Sequence, residues 1–334
     1  MKNSEIYRRT LKFSLMRILC SLIGIICLIG IPALAMFFTM SLENSTQLIV
    51  AGVTIVIGIV IFALIARYAG YLFRAGQIAM ITEGVATDSL PEDVYAAGKQ
   101  KVRQRFGTAS VYFLITGIIS GITSQITNGL NALGKVADGG NNGPASGIAG
   151  AISIVIAVVL EYLNYCCLGW VFLHNDQNAF KSTCDGAVVY FQNWKTLLKN
   201  AGKIIGITLL SLVVIGGPLC LLSYAIMQSF PAFVTAMSEI DTLIVFDDGT
   251  AVPAGTALII AAAIAGLLVW SGIHGAFVSP YILISVLRRY LEAGIANPPR
   301  IDVYGKLAGM SKSFRKALGR AEKDGAIAPG SVVS

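Results

Sequence analysis

Six long apolar runs with almost no charged residues constrain the fold of this chain more than any other feature. They cover residues 18–40, 48–66, 109–126, 148–172, 204–227 and 257–287. About 20 helical residues, each rising about 1.5 Å, cross a hydrocarbon core about 30 Å thick. Only 13% of the 334 residues are charged, against about 25% in soluble domains. The sequence therefore predicts an all-α, polytopic helical membrane bundle with six spans.

The lysines and arginines predict which ends of the spans face the cytoplasm. Of the 25 basic residues, 24 lie in the N-terminus, in the loops after spans two and four, and in the tail from Arg288. The other loops hold only Lys135. The positive-inside rule then places both termini in the cytoplasm. The predicted divisions are a basic N-terminus at 1–17, a membrane domain at 18–287 and a basic tail at 288–334.

Spans one and two, three and four, and five and six form three predicted hairpins whose second spans continue into the cytoplasm as helices. After spans two and six, thirteen positions separate a tyrosine from a glycine, Tyr71 from Gly84 and Tyr281 from Gly294. We expect these glycines to end their helices as C-caps. Residues 89–92 have the pattern of a capping box with proline at the first helical position. They predict a helix that starts here and runs into span three.

Polar residues inside the spans suggest a binding site. Glu161 is the only acidic residue well inside a predicted span, where an ionisable group is costly. Asn164 and Tyr165 lie within about one helical turn of it, and Trp270 and His274 lie one turn apart in span six. In one interpretation, Glu161 supplies charge, aromatic rings attract an ammonium group and His274 relays protons. In the other, Glu161 and His274 are packing residues that hydrogen-bond between helices.

Glycines and prolines inside the spans predict close helix contacts and helix breaks. The spacing that lets helices approach closely occurs at Gly117 with Gly121 and at Gly202 with Gly206. Gly216-Gly217-Pro218 predicts the sharpest break, and Pro32 and Pro280 are expected to interrupt spans one and six. Such breaks occur at transporter binding sites, and they also occur as simple kinks.

Charge patterns outside the spans predict two further surfaces. In the tail, Leu307, Met310, Phe314 and Leu318 form an apolar stripe among basic residues. This amphipathic helix is expected to lie on anionic lipid of the inner leaflet or to dock on a partner. The external segment after span five carries four acids and no basic residue, Glu239, Asp241, Asp247 and Asp248. That rim either concentrates cations or is what remains when basic residues stay inside.

No catalytic or metal-binding motif is found in the sequence. The six cysteines and two histidines lack the spacing of metal ligands. We therefore predict no enzymatic activity, no cofactor and no metal. The net charge of +7 follows from the topology of the spans, so no nucleic-acid partner is predicted.

Several short motifs between residues 161 and 294 recur in a known family. They are EYLN at 161–164, NAF at 178–180, NW at 193–194, GK at 202–203, VIGG at 214–217 and the segment 277–292. This part of the chain resembles the C-terminal part of choline-transporter-like proteins, which implies transport of a small, choline-like solute. The whole chain resembles polytopic membrane proteins of gut Firmicutes, which implies a multi-pass protein of a bacterial cytoplasmic membrane.

The sequence therefore predicts a transporter or channel for a small solute, such as a choline-like cation, with Glu161, Asn164, Tyr165, Trp270 and His274 as binding residues. The alternative is a non-catalytic membrane scaffold, or a subunit of a secretion or conjugation complex. The basic tail, the ordered basic loop and the glycine packing faces favour that alternative. The expected partners are the lipid bilayer, anionic lipid at the tail, a small solute, and either further copies of the chain or other membrane-complex subunits.

Overall fold

A computed structural model describes residues 1–39, 44–107, 113–122, 124–125, 162–194, 201–243 and 253–327. Every regular element within these ranges is a helix, which confirms the predicted all-α class. In chain order the helices are α1 Asn3–Phe38, α2 Asn44–Ala69, α3 Ala75–Ala86, α4 Val94–Phe106, α5 Phe113–Ile122, α6 Tyr162–Leu173, α7 Ala179–Gln192, α8 Ala201–Ser211, α9 Gly217–Gln228, α10 Pro231–Leu243, α11 Thr256–Ile273, α12 Ser279–Ala296, α13 Ile301–Met310 and α14 Lys312–Lys323.

The chain divides into two compact units. The first comprises Met1–Gly202 and Tyr281–Ser334, and the second comprises Lys203–Pro280. Among the described residues, two helical stretches are long and apolar enough to cross a membrane, Gly202–Gln228 and Thr256–Ala296. They contain the predicted spans five and six. Shorter apolar helices cover Gly52–Ile65, Phe113–Ile122 and Tyr162–Leu173, which lie in the predicted spans two, three and four.

Trp170 on α6 is a central core residue of the first unit. Its ring meets that of Tyr290 edge to face, with 5.9 Å between centroids, and that of His174 at 4.3 Å. A Cβ atom at Gly186 would lie 3.1 Å from the Cβ of Trp170, and one at Gly294 would overlap the indole ring. These two glycines therefore allow α7 and α12 to pack against the indole.

The predicted helix C-caps at Gly84 and Gly294 are wrong. Gly84 lies inside α3 and Gly294 inside α12, and neither takes a positive φ. A Cβ atom at Gly84 would lie 3.2 Å from Leu90 and 3.3 Å from Ile6. At both positions, glycine is required by close packing against another part of the chain.

The helix predicted from the capping box at 89–92 begins later, and it does not continue into span three. Its N-cap is Asp93, whose carboxylate accepts hydrogen bonds from the backbone N–H groups of Tyr95 at 3.1 Å and Ala96 at 3.0 Å. The helix ends where Gly107 takes a φ of +63°, which favours a residue without Cβ.

The amphipathic tail is two helices rather than one, and most of its apolar face is covered. The hydroxyl of Ser311 caps α14 by accepting a hydrogen bond from the N–H of Phe314 at 3.1 Å. Phe314, Leu307 and Leu318 are buried, whereas Met310 is exposed. The apolar stripe expected on the membrane or on a partner therefore packs against the chain itself. Contact between the basic residues of the tail and anionic lipid stays a prediction.

Close helix contacts fall mostly at other glycines than those predicted. No described atom lies within 4 Å of the Cβ position at three of the four, Gly117, Gly202 and Gly206. At Gly121 a Cβ would overlap Ser313 of the tail. In the second unit the close approach occurs at Gly266, whose Cβ position is 2.5 Å from the Cα of Cys220.

Candidate functional site

Two prolines coincide with widened turns in the apolar helices of the second unit. The π-helical turn Leu212–Gly216 precedes Pro218, and the π-helical turn His274–Val278 precedes Pro280. Proline lacks an N–H and its ring clashes with the carbonyl four residues earlier, which a wider turn relieves. Each turn carries a hydrogen bond across five residues, from Gly217 to Leu212 and from Ser279 to His274. Both helices therefore continue past Pro218 and Pro280 through a widened turn rather than a break. The interruption predicted at Pro32 is wrong, because α1 continues as a regular helix from Asn3 to Phe38.

Trp270 and His274 lie beside these turns. Their rings are 5.2 Å apart between centroids. A Cβ atom at Gly216, the last residue of the first turn, would lie 3.2 Å from the Cγ of Trp270. His274 is the first residue of the second turn. The indole of Trp270 therefore packs against the end of the first turn, where Gly216 leaves room for it, and lies one helical turn before the second.

The indole N–H of Trp270 is shielded from solvent and has no hydrogen-bond acceptor among the described residues. An unsatisfied buried donor costs about 1–3 kcal/mol. Removing this cost requires an acceptor from outside the described residues, such as an oxygen of a bound solute or a water. Trp270 is therefore the best-supported binding residue among those predicted.

The ring of Tyr165 already makes a cation–π contact within the chain. The guanidinium of Arg74 lies 4.6 Å from the ring centroid and also donates to the phenol oxygen. This side chain is therefore engaged internally, and a solute ammonium would have to displace Arg74 to use it. Asn164 lies beside it on α6, and its side-chain carbonyl oxygen is shielded without a donor among the described residues.

The five predicted site residues fall into three groups. Asn164 and Tyr165 belong to the first unit, and Trp270 and His274 belong to the second. Glu161 lies outside the described residues. The structure therefore brings together Trp270 with His274, and Asn164 with Tyr165. The role of Glu161 stays a prediction.

A buried acid outside the predicted spans was not identified from the sequence. Asp185 on α7 is 5% exposed and accepts hydrogen bonds from the Tyr304 hydroxyl and from the Lys181 ammonium at 3.3 Å. Burial raises the pKa of Asp185, and the charge of Lys181 partly opposes this. A cavity of about 370 Å³ lies beside it. The spacing of four residues between Lys181 and Asp185 was the available signal.

One member of the predicted acidic rim is a helix cap. Asp241 is buried, and its carboxylate accepts hydrogen bonds from the N–H groups of Gly255 at 2.7 Å and Ala257 at 2.8 Å. These groups lie at the start of α11, where free N–H donors favour a carboxylate. Asp241 therefore caps the N-terminus of α11. Asp247 and Asp248 lie outside the described residues.

One contact within the first unit bears on the predicted topology. Gln125, at the predicted outer end of span three, accepts a hydrogen bond from the hydroxyl of Ser311 at 2.7 Å. Ser311 belongs to the tail that is predicted to be cytoplasmic. Two groups on opposite sides of a core about 30 Å thick cannot touch. This contact is therefore at odds with a complete crossing by residues 109–126.

Comparisons of the chain with protein-family models, with curated proteins and with solved structures found no match. The resemblance to choline-transporter-like proteins therefore stays a prediction. Among the described residues, no group of three or more His, Cys, Asp or Glu side chains is placed to hold a metal ion.

Proposed function

We propose that this chain is a multi-pass membrane protein that binds a small solute and carries it across a bacterial cytoplasmic membrane. The membrane location rests on the exposure of the two long apolar helices. In an 18-residue window of each, only 17% of the residues are buried. Val213, Leu221 and Leu268 are 69–73% exposed. Water is a poor solvent for such a surface, at about 25 cal/mol per Å² of apolar area, and lipid is a good one.

Hydrogen bonds within the first unit support the proposal that all basic segments lie on one side of the membrane. Three hydrogen bonds link the N-terminus, the loops after spans two and four, and the tail: Arg288 Nε to Asn3 Oδ1 at 3.0 Å, Arg105 Nη1 to the Gln177 carbonyl at 2.7 Å, and Gln192 Nε2 to the Asn297 carbonyl at 2.8 Å. Segments that touch must lie on the same side of a membrane. This agrees with the positive-inside rule and supports cytoplasmic termini.

The proposed topology has six spans, and reporter fusions test it. Alkaline phosphatase and green fluorescent protein would each be fused after residues 44, 87, 140, 178, 250 and 327. Six spans require an external signal at 44, 140 and 250, and a cytoplasmic signal at the other three positions. A cytoplasmic signal at 140 with an external signal at 250 would replace six spans with four, as the contact between Gln125 and Ser311 suggests. A cytoplasmic signal at every position would refute the multi-pass proposal.

The proposed solute site rests on Trp270. Its shielded N–H needs an acceptor, and its ring face can attract an ammonium group. The π-helical turns on either side resemble the interrupted helices that line solute sites in transporters. A small molecule with both an ammonium group and an oxygen acceptor fits this chemistry. Choline, ethanolamine, betaine and amino acids are such molecules.

A thermal-shift assay on protein purified in mild detergent tests the site. A ligand at a hundredfold excess over its Kd raises the free energy of unfolding by about 2.7 kcal/mol. Trp270→Phe keeps an aromatic ring but removes the N–H, and should reduce the shift. Glu161→Gln, measured separately, tests the sequence-based prediction that this residue supplies charge. Tyr224→Phe, on α9 of the same unit, removes a hydroxyl outside the site and should leave it unchanged.

The same assay separates the proposed function from the scaffold alternative. A ligand shift that persists in Trp270→Phe would refute the role of Trp270. A protein that responds to no solute, and that is recovered from native membranes in a stable complex with other proteins, would favour a membrane scaffold.

A further inference from the structure

A second cavity lies at the cytoplasmic end of α1. It has a volume of about 500 Å³ and is lined by Arg9, Lys12, Glu92, Asp93, Val94 and Tyr95. It is built from the N-terminal helix and from the start of α4, both in the first unit. Most of its lining residues are charged, so the signs and partners of these charges decide what it can bind.

Two ammonium groups share the ring of Tyr95. The Nζ of Lys12 lies 5.0 Å from the ring centroid and that of Lys99 lies 5.4 Å from it, so the two are at most about 10 Å apart. Phe13 and Phe73 pack against the same ring at 5.1 and 6.1 Å and hold it in place. Among the described residues, neither ammonium has a carboxylate within 4 Å.

The other charges of the cavity are mostly engaged. Arg9 donates to the carbonyl oxygens of Leu90 at 3.2 Å and Pro91 at 2.6 Å. Asp93 uses its carboxylate to cap α4. Glu92 is exposed at the rim. The lining itself holds two basic and two acidic residues, Arg9, Lys12, Glu92 and Asp93. Lys99 is not part of the lining but shares the Tyr95 ring with Lys12, so three cations lie near two carboxylates and the local charge is positive.

The position of Lys12 along α1 places this charge at the level of lipid headgroups. Lys12 precedes the first predicted span by six residues, or about 9 Å of helix. The headgroup region is about 5–8 Å thick on each side of the core, and a lysine side chain extends farther than its Cα. On the same helix, Leu15 is 53% exposed and Leu19 is 50% exposed. A lipid-facing surface therefore begins within one turn of the cavity.

We propose that this cavity binds an anionic phospholipid of the inner leaflet, with its phosphate between Lys12 and Lys99 and its acyl chains along Leu15 and Leu19. The proposal rests on the membrane location proposed above, but not on solute transport. It places the anionic-lipid site at this cavity, whereas the sequence placed it on the tail.

Reconstitution into nanodiscs tests this proposal. Wild-type protein would be placed in phosphatidylcholine with increasing phosphatidylglycerol, and retained lipid would be counted by native mass spectrometry. Each basic residue near a membrane surface contributes about fivefold in affinity, so Lys12→Gln with Lys99→Gln should lower it about thirtyfold. The matched control, Lys306→Gln with Lys316→Gln, removes two exposed charges from the tail and should retain the lipid.

Further measurements distinguish failure of the lipid site from failure of the proposed membrane location. Equal lipid retention by the cavity variant and wild type would overturn the proposal, as would lipid loss in the tail variant alone. Glu92→Gln removes one of the two lining carboxylates and should raise the affinity, which tests the site even if the lysine variant misfolds. Stabilisation by soluble glycerol phosphate equal to that by the lipid would show a soluble ligand instead. Failure of the protein to float with vesicles would refute the membrane location itself.

Discussion

Replacing Gly294 by alanine tests whether Trp170 organises the first unit. A Cβ atom at this position would lie 2.8 Å from the Cγ1 of Val189 and 2.9 Å from the Cη2 of Trp170. Both distances are well inside van der Waals contact. Val189 is fully buried and Trp170 is 4% exposed, so neither can move into solvent. The new methyl group must therefore strain the packing of α12 against α6 and α7.

Two opposing effects determine the size of the change. Overpacking a close-packed core costs about 1–3 kcal/mol. Alanine is favoured over glycine inside a helix by about 0.5–1 kcal/mol. We expect Gly294→Ala to lower the free energy of unfolding by about 1–2 kcal/mol. The matched control is Gly319→Ala in α14, where no described atom lies within 4 Å of the Cβ position. It should be neutral or raise the free energy of unfolding by up to about 1 kcal/mol.

Thermal unfolding in detergent, followed by circular dichroism, measures both variants. The same chemical change should shift the midpoint down at Gly294 and leave it unchanged or raise it at Gly319. Trp170→Phe in the Gly294→Ala background should recover part of the loss, because the smaller ring makes room for the methyl group. If Gly294→Ala is as stable as wild type, the close approach of α12 to Trp170 is refuted.

Three other predictions follow from particular contacts. Burial raises the pKa of Asp185 above its ordinary 3.8, so the folded state binds the proton more tightly. The free energy of unfolding should therefore fall as the pH rises above about 4. Asp185→Asn should flatten this fall, and an unchanged pH profile would contradict the prediction. Asp241→Ala should cost about 0.5–2 kcal/mol through loss of the α11 cap, whereas an unaltered unfolding midpoint would exclude that role. Gly266→Ala places a methyl group against the backbone of Cys220 and should cost at least about 1–3 kcal/mol, while Gly272→Ala, with open space at its Cβ position, should not lower the unfolding midpoint.

Features that depend on neighbouring residues in the chain could be predicted from the sequence. The helical class follows from apolar runs of the right length and from the scarcity of charge. The widened turns before Pro218 and Pro280 follow from a missing N–H and a ring clash within one turn. The aromatic and imidazole pair of Trp270 and His274 follows from a spacing of four residues on one helix. In each case the interaction spans only a few residues.

Features that depend on residues far apart in the chain were decided by the tertiary structure. Gly294 has the sequence context of a helix end, but its role follows from Trp170, more than 120 positions earlier. Tyr165 offers an aromatic ring in the sequence, and Arg74, 91 positions away, occupies it.

Asp185 shows the same dependence on distant residues. It is an ordinary helical acid in the sequence, and its burial and its bond to Tyr304 arise across 119 positions. Local periodicity determines which faces of a helix are apolar, but the contact that covers each face depends on how the whole chain packs. For this reason the helical class and the widened turns at the two prolines can be predicted from the sequence, whereas the partners of the tail, the glycines and the buried charges required the fold.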